Sequence, residues 1–295
     1  MGIHGIVILF ALVVLGGKLE VGGHPSEKLL VRGARMVNGT KMTIEDAPWF
    51  VFLMGEYDHF HKGFASCSGS IISSYWVMTV AHCACSTVPR MKIKFVLAGS
   101  DFYSEQYIIG AKYNEDTKGY RHKIDKTICH PHWNAAHQGI HDIALVHVIE
   151  PFKFNETLQL ILNHQDRRIF AETQAIAFGW DHSVQNSERF GRVLNFAKMK
   201  ITPTNTCDFF RATIHGRRTP PPGQLCADPV SGKPNSGDSG GPLVFEGILV
   251  GIYSWRYIFN NSKWPFGFVD VACYYDWILG NICDDVPDIL SPCGY

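Results

Sequence analysis

The chain has 295 residues, enough for one large core or two smaller ones, since single cores stop growing at about 250–300 residues. Its 27 basic residues balance 27 acidic ones, which argues against electrostatic capture of nucleic acid or of an anionic membrane surface. Charged residues make up only 18% while Gly (28) and Pro (15) are plentiful, the mix of a turn-rich β protein.

Near the N-terminus, Ile6 to Leu15 is an unbroken apolar run followed by Gly16 and Gly17. A helix needs about 20 residues to cross a bilayer, so this run fits the hydrophobic region of a secretory signal peptide, residues 1–17, and no later segment is a candidate span. Residues 18–35 are short, contain glycine and end in Arg32-Gly-Ala-Arg35, the texture of a removable propeptide. Export would take the chain through an oxidising route, where nine cysteines point to disulfides and the odd count leaves one thiol free or paired outside the chain. Asn38, Asn155 and Asn260 open Asn-x-Ser/Thr triplets, which places those segments at the surface if they are used for glycosylation.

From Met36 onward, short apolar runs rich in β-branched and aromatic residues alternate with Gly, Pro, Asn and Ser turns. Trp49–Leu53, Gly69–Ile72, Trp76–Val80, Ile143–Val146 and Leu249–Tyr253 read as strands at the spacing of barrels or sandwiches. Tyr274–Leu279 has the three-to-four-residue apolar recurrence of a helix, and Cys283 to Tyr295 reads as a stapled tail.

Three segments carry chemistry. A serine hydroxyl is a poor nucleophile at neutral pH and needs a base to take its proton, with donors to hold the oxyanion that forms. Gly237-Asp-Ser-Gly-Gly-Pro242 places Ser239 in a glycine-flanked turn, where the N–H groups of Gly237 and Ser239 can converge on one oxygen. Thr79-Val-Ala-His-Cys83 sets His82 at the end of an apolar strand as general base, and His141-Asp-Ile-Ala-Leu145 sets Asp142 before another strand, where a desolvated carboxylate orients the imidazole. Each segment alone has an ordinary structural reading; their joint occurrence in the order His, Asp, Ser does not. A lipase-type elbow would place the histidine last, whereas His82 comes first.

At these residues the chain resembles the chymotrypsin/trypsin-like (S1) serine peptidases over Met36 to about Leu279. Cys67-Ser-Gly-Ser-Ile-Ile72, Tyr75-Trp-Val77, Phe178-Gly-Trp180 and Ser254-Trp255 extend the match, and the texture is similar to insect digestive or haemolymph members. The resemblance implies an all-β fold of two packed six-stranded antiparallel β-barrels with a C-terminal helix. The domain would occupy residues 36–295, with barrels at about 36–152 and 153–272 and the helix and tail at 273–295. It further implies bridges Cys67–Cys83 and Cys207–Cys226, with Cys85–Cys129 a candidate extra one; Cys273, Cys283 and Cys293 are left unassigned. Members are zymogens, so Arg35-Met36 is the expected activation junction, the new Met36 ammonium pairing with Asp238. Ile or Val is usual at that position, so Met36 is a departure. The implied protein is a secreted extracellular monomer that needs no cofactor or metal. Its partners would be a polypeptide substrate, an activating protease and protein protease inhibitors.

Other departures lie in the substrate pocket. The residue six before the nucleophile, which in the family lies at the bottom of the pocket, is Lys233 rather than the Asp that would select Arg or Lys. Arg256 replaces the glycine after Ser254-Trp255, and the opposite wall glycine aligns with Phe266, or with Gly267 if Phe266 is an insertion. Asn235 stands where a pocket-bracing cysteine is usual. Three outcomes stay open: a preference for acidic P1 residues, a preference for small ones, or a homologue with almost no turnover that acts by binding.

Overall fold

The computed structural model describes residues 36–57, 64–85, 91–104, 120–136, 139–163, 169–183, 191–208, 223–235, 237–256 and 265–283. The expected leader and propeptide, including Arg35, lie outside these, as do Asn260 and Cys293.

In chain order the strands are β1 (Thr40–Lys41), β2 (Phe50–Tyr57), β3 (Phe64–Ile71), β4 (Trp76–Thr79), β5 (Met91–Ala98), β6 (Phe102–Ser104), β7 (Tyr120–Cys129), β8 (Ala144–Val148) and β9 (Leu162–Asn163). They continue as β10 (Gln174–Ser183), β11 (Gly191–Ile201), β12 (Gln224–Ser231), β13 (Pro242–Phe245), β14 (Ile248–Arg256) and β15 (Phe266–Asp270). Helix α1 (Ala81–Ala84) follows β4, and α2 (Tyr275–Ile282) follows a 3-10 turn, Val271–Tyr274.

Strands β2-β3-β4-β8-β7-β5 close the first antiparallel barrel. The second runs β11-β10-β13-β14-β15-β12 and closes through β11–β12 pairing. The two six-stranded barrels with a C-terminal helix are those expected. Strands β1 and β6 both pair with β11, so two segments that precede or interrupt the first barrel belong to the second. Met36 and its neighbours are thereby attached to the barrel that carries Ser239.

A strand with one wet face alternates buried and exposed residues, but β4 is buried throughout and β14 is buried at every position except its two ends. Both faces of each are covered, which is why both read as continuous apolar runs. Trp180 of β10 fills the seam between the barrels: its indole stacks on Phe50 at 5.1 Å and meets Phe52 edge-on at 5.7 Å. These aromatic contacts hold β2 of the first barrel against the second. Ile278 and Ile282 on α2 bury into the same core, which docks the helix.

Disulfides Cys67–Cys83, Cys85–Cys129 and Cys207–Cys226 are formed. Cys283 is also disulfide-bonded, and Cys273 sits exposed in the 3-10 turn. Cys85–Cys129 ties the end of α1, three residues from His82, to the end of β7. It closes a span of 44 residues, for which chain entropy in the unfolded state gives about 4 kcal/mol. The Cys85→Ser/Cys129→Ser protein is accordingly expected to unfold at a clearly lower urea concentration than the parent; an unchanged midpoint would remove the clamp from the account.

Candidate active site

Strand β4 stops at Thr79, whose hydroxyl donates to Ser68 O at 2.8 Å, and the chain turns into α1. His82 therefore stands on a short helix rather than at the strand end that its sequence suggested. The helix brings both of its polar groups to one carboxylate. The His82 backbone N–H donates to Asp142 Oδ1 at 2.8 Å, and Nδ1 lies 2.7 Å from Oδ2. An ionised carboxylate only accepts, so Nδ1 carries the proton and Nε2 keeps its lone pair. Ser254 of β14 donates its hydroxyl to the same Oδ2 at 2.5 Å, so Asp142 gathers donors from both barrels.

The Asp142 side chain is 2% exposed and that of His82 39%. Burial opposes charging Asp142, but the neighbouring imidazole and three hydrogen bonds outweigh it and hold its carboxyl below the usual value. Burial likewise pulls the His82 pKa down, while the charge and hydrogen bond of Asp142 push it up, and the net effect leaves it above 6.5. The site thus holds a base whose conjugate acid is stabilised by a buried anion.

Asp142 is positioned by a cluster that the sequence did not reveal. His141 takes a left-handed backbone (φ 50°), its Nδ1 lies 3.1 Å from the Tyr274 hydroxyl, and its ring stacks on His130 at 4.7 Å. His132 lies 5.6 Å from both rings, and Trp277 of α2 covers His130. Burial and then the two neighbouring histidines pull His130 down to about 4, well below its unfolded value of 6.5. The unfolded chain takes up this proton first as pH falls, so the stability contribution present above pH 6.5 is lost between 6.5 and 4. Melting temperature is expected to drop across that window, and less steeply in His132→Asn, which removes one like charge.

Ser239 occupies the turn between Asn235 and β13. Ser68 donates its N–H to Ser239 O at 2.7 Å, and Cys83 Sγ, one residue from His82, lies 3.9 Å from the same oxygen. Gly240 (φ 83°) permits this approach, because a Cβ there would fall on Ser68 O and Thr79 Oγ1. Asp238 and Gly240 donate their N–H groups to Asn235 O and Tyr253 O. Among the described residues no acceptor takes the N–H of Gly237 (φ 89°) or Ser239, the two donors suggested for an oxyanion. No hydrogen bond joins Ser239 Oγ to His82 Nε2 among the described residues; such contacts are commonly long in free enzymes and tighten around substrate.

Asp238 is fully buried. Its Oδ1 accepts the Trp180 N–H and its Oδ2 the Asn235 N–H, both at 2.9 Å. Met36 is equally buried, donating its N–H to Trp180 O at 3.1 Å. A Cβ on Gly179 would lie 2.5 Å from Asp238 Oδ1 and 2.9 Å from Met36 Cε, so that glycine makes room for both. The unbranched Met36 side chain is accommodated beside the Asp238 carboxylate.

Lys233 is half-buried, its backbone exchanging hydrogen bonds with Val37 at 2.9 and 3.0 Å. The β14–β15 register sets Arg256 opposite Phe266 and Trp255 opposite Gly267, and the Trp255 indole takes the space where a Gly267 side chain would stand. The residues that face each other across these strands are therefore Arg256 and Phe266, the pair expected at the pocket walls when Phe266 is aligned with the wall glycine. Phe266 is 2% exposed, with the Arg256 guanidinium 4.9 Å above its ring. Tyr253, which sequence reasoning took only as part of a strand, is buried 6.0 Å from Phe266. Burial and then the Asp238 charge push its phenol up while Arg256 pulls it down, so its hydroxyl lies within electrostatic reach of both.

Comparison with known proteins gives a consistent result. Residues 36–278 match the Trypsin family model. Trypsin alpha of Drosophila melanogaster is 28% identical over 276 residues, 93% of this chain and 96% of that protein. Trypsin of Simulium vittatum is 29% identical over 269 residues, covering 88% and 97%. Among solved structures, the scabies mite inactivated protease paralogue S-D1 shares the fold at a TM-score of 0.64 and 22% identity, over 85% of this chain and 99% of that one.

Proposed function

The chain belongs to the trypsin family of serine peptidases, and from that premise we propose that it is a secreted endopeptidase precursor, activated by cleavage after Arg35, that hydrolyses peptide bonds through a Ser239 acyl-enzyme. The observation that carries this reading is the buried Asp142 carboxylate gripping His82 through two hydrogen bonds. Nε2 takes the Ser239 proton as Oγ attacks the scissile carbonyl, and the N–H groups of Gly237 and Ser239 receive the oxyanion. The imidazolium, stabilised by Asp142, then protonates the leaving amine; water repeats the sequence to release the acid. Cleavage after Arg35 turns the Met36 amide into an ammonium beside Asp238, a pairing that orders the oxyanion turn.

Specificity in this proposal is narrow and non-tryptic. Lys233 and Arg256 bring cations where a basic substrate side chain would need an anion, while Phe266 and Tyr253 leave room for small or acidic P1 residues. Lys233→Asp is expected to raise cleavage after Arg or Lys relative to other residues by about 10–100-fold, the worth of one charged hydrogen bond. A P1 profile from a peptide library that does not move would detach Lys233 from the pocket.

The burial of Phe266 and Tyr253 also favours a second reading, a homologue that binds polypeptides with almost no turnover. Fluorophosphonate labelling of the secreted protein before and after cleavage at Arg35 separates the two. Labelling that appears only after cleavage supports the peptidase; a cleaved, folded protein that stays unlabelled supports the binding homologue.

A further inference from the structure

We propose that Asn155 carries an N-linked oligosaccharide, an inference that rests on the export reading above. The triplet Asn155-Glu156-Thr157 forms a self-contained turn on the link between the barrels. Asn155 and Leu158 exchange backbone hydrogen bonds at 2.8 and 3.3 Å. Inside the turn, Thr157 donates both its backbone N–H, at 2.9 Å, and its hydroxyl, at 3.1 Å, to the same acceptor, Asn155 Oδ1. Every bond spans three residues or fewer, so the turn can form in the nascent chain before either barrel closes.

This arrangement serves the chemistry of amide glycosylation. Two donors on Oδ1 draw electron density toward the oxygen and leave Nδ2 outside the turn's hydrogen bonds, with its N–H acidified. Nδ2 then attacks C1 of the first sugar of a lipid-pyrophosphate-linked oligosaccharide. The N–C1 bond forms, the C1–O bond to the pyrophosphate breaks, the Nδ2 proton passes to a base of the transferase, and the lipid pyrophosphate leaves. In the folded protein Asn155 and Glu156 are exposed, and Phe154 beside them is 38% exposed, an apolar face that the first sugar can cover.

The other described acceptor lacks these features. Asn38 has a left-handed backbone (φ 54°), and Thr40 is already paired with Phe196 in β1. No hydrogen bond joins Thr40 to the Asn38 amide among the described residues.

The test is expression of the full chain in insect cells, with enzymatic deglycosylation of the medium fraction in heavy-oxygen water and peptide mass spectrometry. Asn155 is expected to appear as heavy-oxygen aspartate. The gel-mobility shift on deglycosylation is expected to be lost at this site in Asn155→Gln and in the isosteric Thr157→Val, retained in Thr157→Ser and untouched in Asn38→Gln. Secreted protein with unmodified Asn155 overturns the inference while export stands. Chain held in the cytosol with its leader intact overturns both.

Discussion

Ser239→Ala is expected to abolish fluorophosphonate labelling and to lower kcat/KM on the best peptide substrate by about 10⁶-fold, the loss seen when a triad serine is removed. The change removes only one hydroxyl. Ser239 is held by its backbone, through the bond from Ser68 N–H and the turn closed by Asp238 and Gly240, and its Oγ has no hydrogen bond among the described residues. Folding should change by less than about 0.5 kcal/mol, in line with substitutions that break no buried contact. Circular dichroism and the urea midpoint check that point separately. What remains is the oxyanion turn and the binding surface, which still favour the tetrahedral intermediate and leave a residue of rate over water. Substantial turnover surviving in the pure variant would assign the activity to another nucleophile and remove Ser239 from the mechanism.

The groups of this site were legible because their chemistry is written locally. The Ser239 turn needs glycines where the backbone crowds Ser68, and Asp142 stands immediately before a buried strand. The strands were legible too, since runs such as Trp76–Val80 and Leu249–Tyr253 have strand length and no helical period, but their spacing fits a sandwich as well as a barrel, and the two barrels were expected only from the family resemblance. What escaped depends on pairing between distant segments. Strand β6 lies between two strands of the first barrel yet pairs with β11, and nothing in its three residues announces that register. The His130–His132–His141 cluster assembles from two loops and is capped by α2, and its members carry no shared spacing. The residues expected at the pocket walls needed a register as well: Phe266 and Gly267 are adjacent, and only pairing with Arg256 and Trp255 decides which faces which. Tyr253 was hidden in an apolar run, because a phenol among aliphatic residues reads as core until the Asp238 and Arg256 charges are found beside it.

Asp142→Asn is expected to lower kcat/KM by about 10⁴-fold at neutral pH, a magnitude set by other Ser-His-Asp triads rather than by these distances. The amide oxygen can still accept from the His82 backbone N–H in the place of Oδ1, and the NH₂ in the place of Oδ2 can donate to the Ser254 hydroxyl oxygen, whose proton turns away, so the site should keep its shape. Two things are lost: the preference for a proton on Nδ1, since the Asn NH₂ can donate to that nitrogen and force the proton to Nε2, and the anion that stabilises the imidazolium. The pH profile tests the second separately. Base catalysis needs neutral His82, so the rate rises with pH and levels off above its pKa, which Asp142 holds above 6.5. With the carboxylate gone, burial is left as the main influence and it acts downward, so the acidic limb of residual activity should move to lower pH. A limb that stays in place, with the rate reduced, would mean that Asp142 orients the ring without setting its proton affinity, and the electrostatic half of the mechanism would have to be withdrawn.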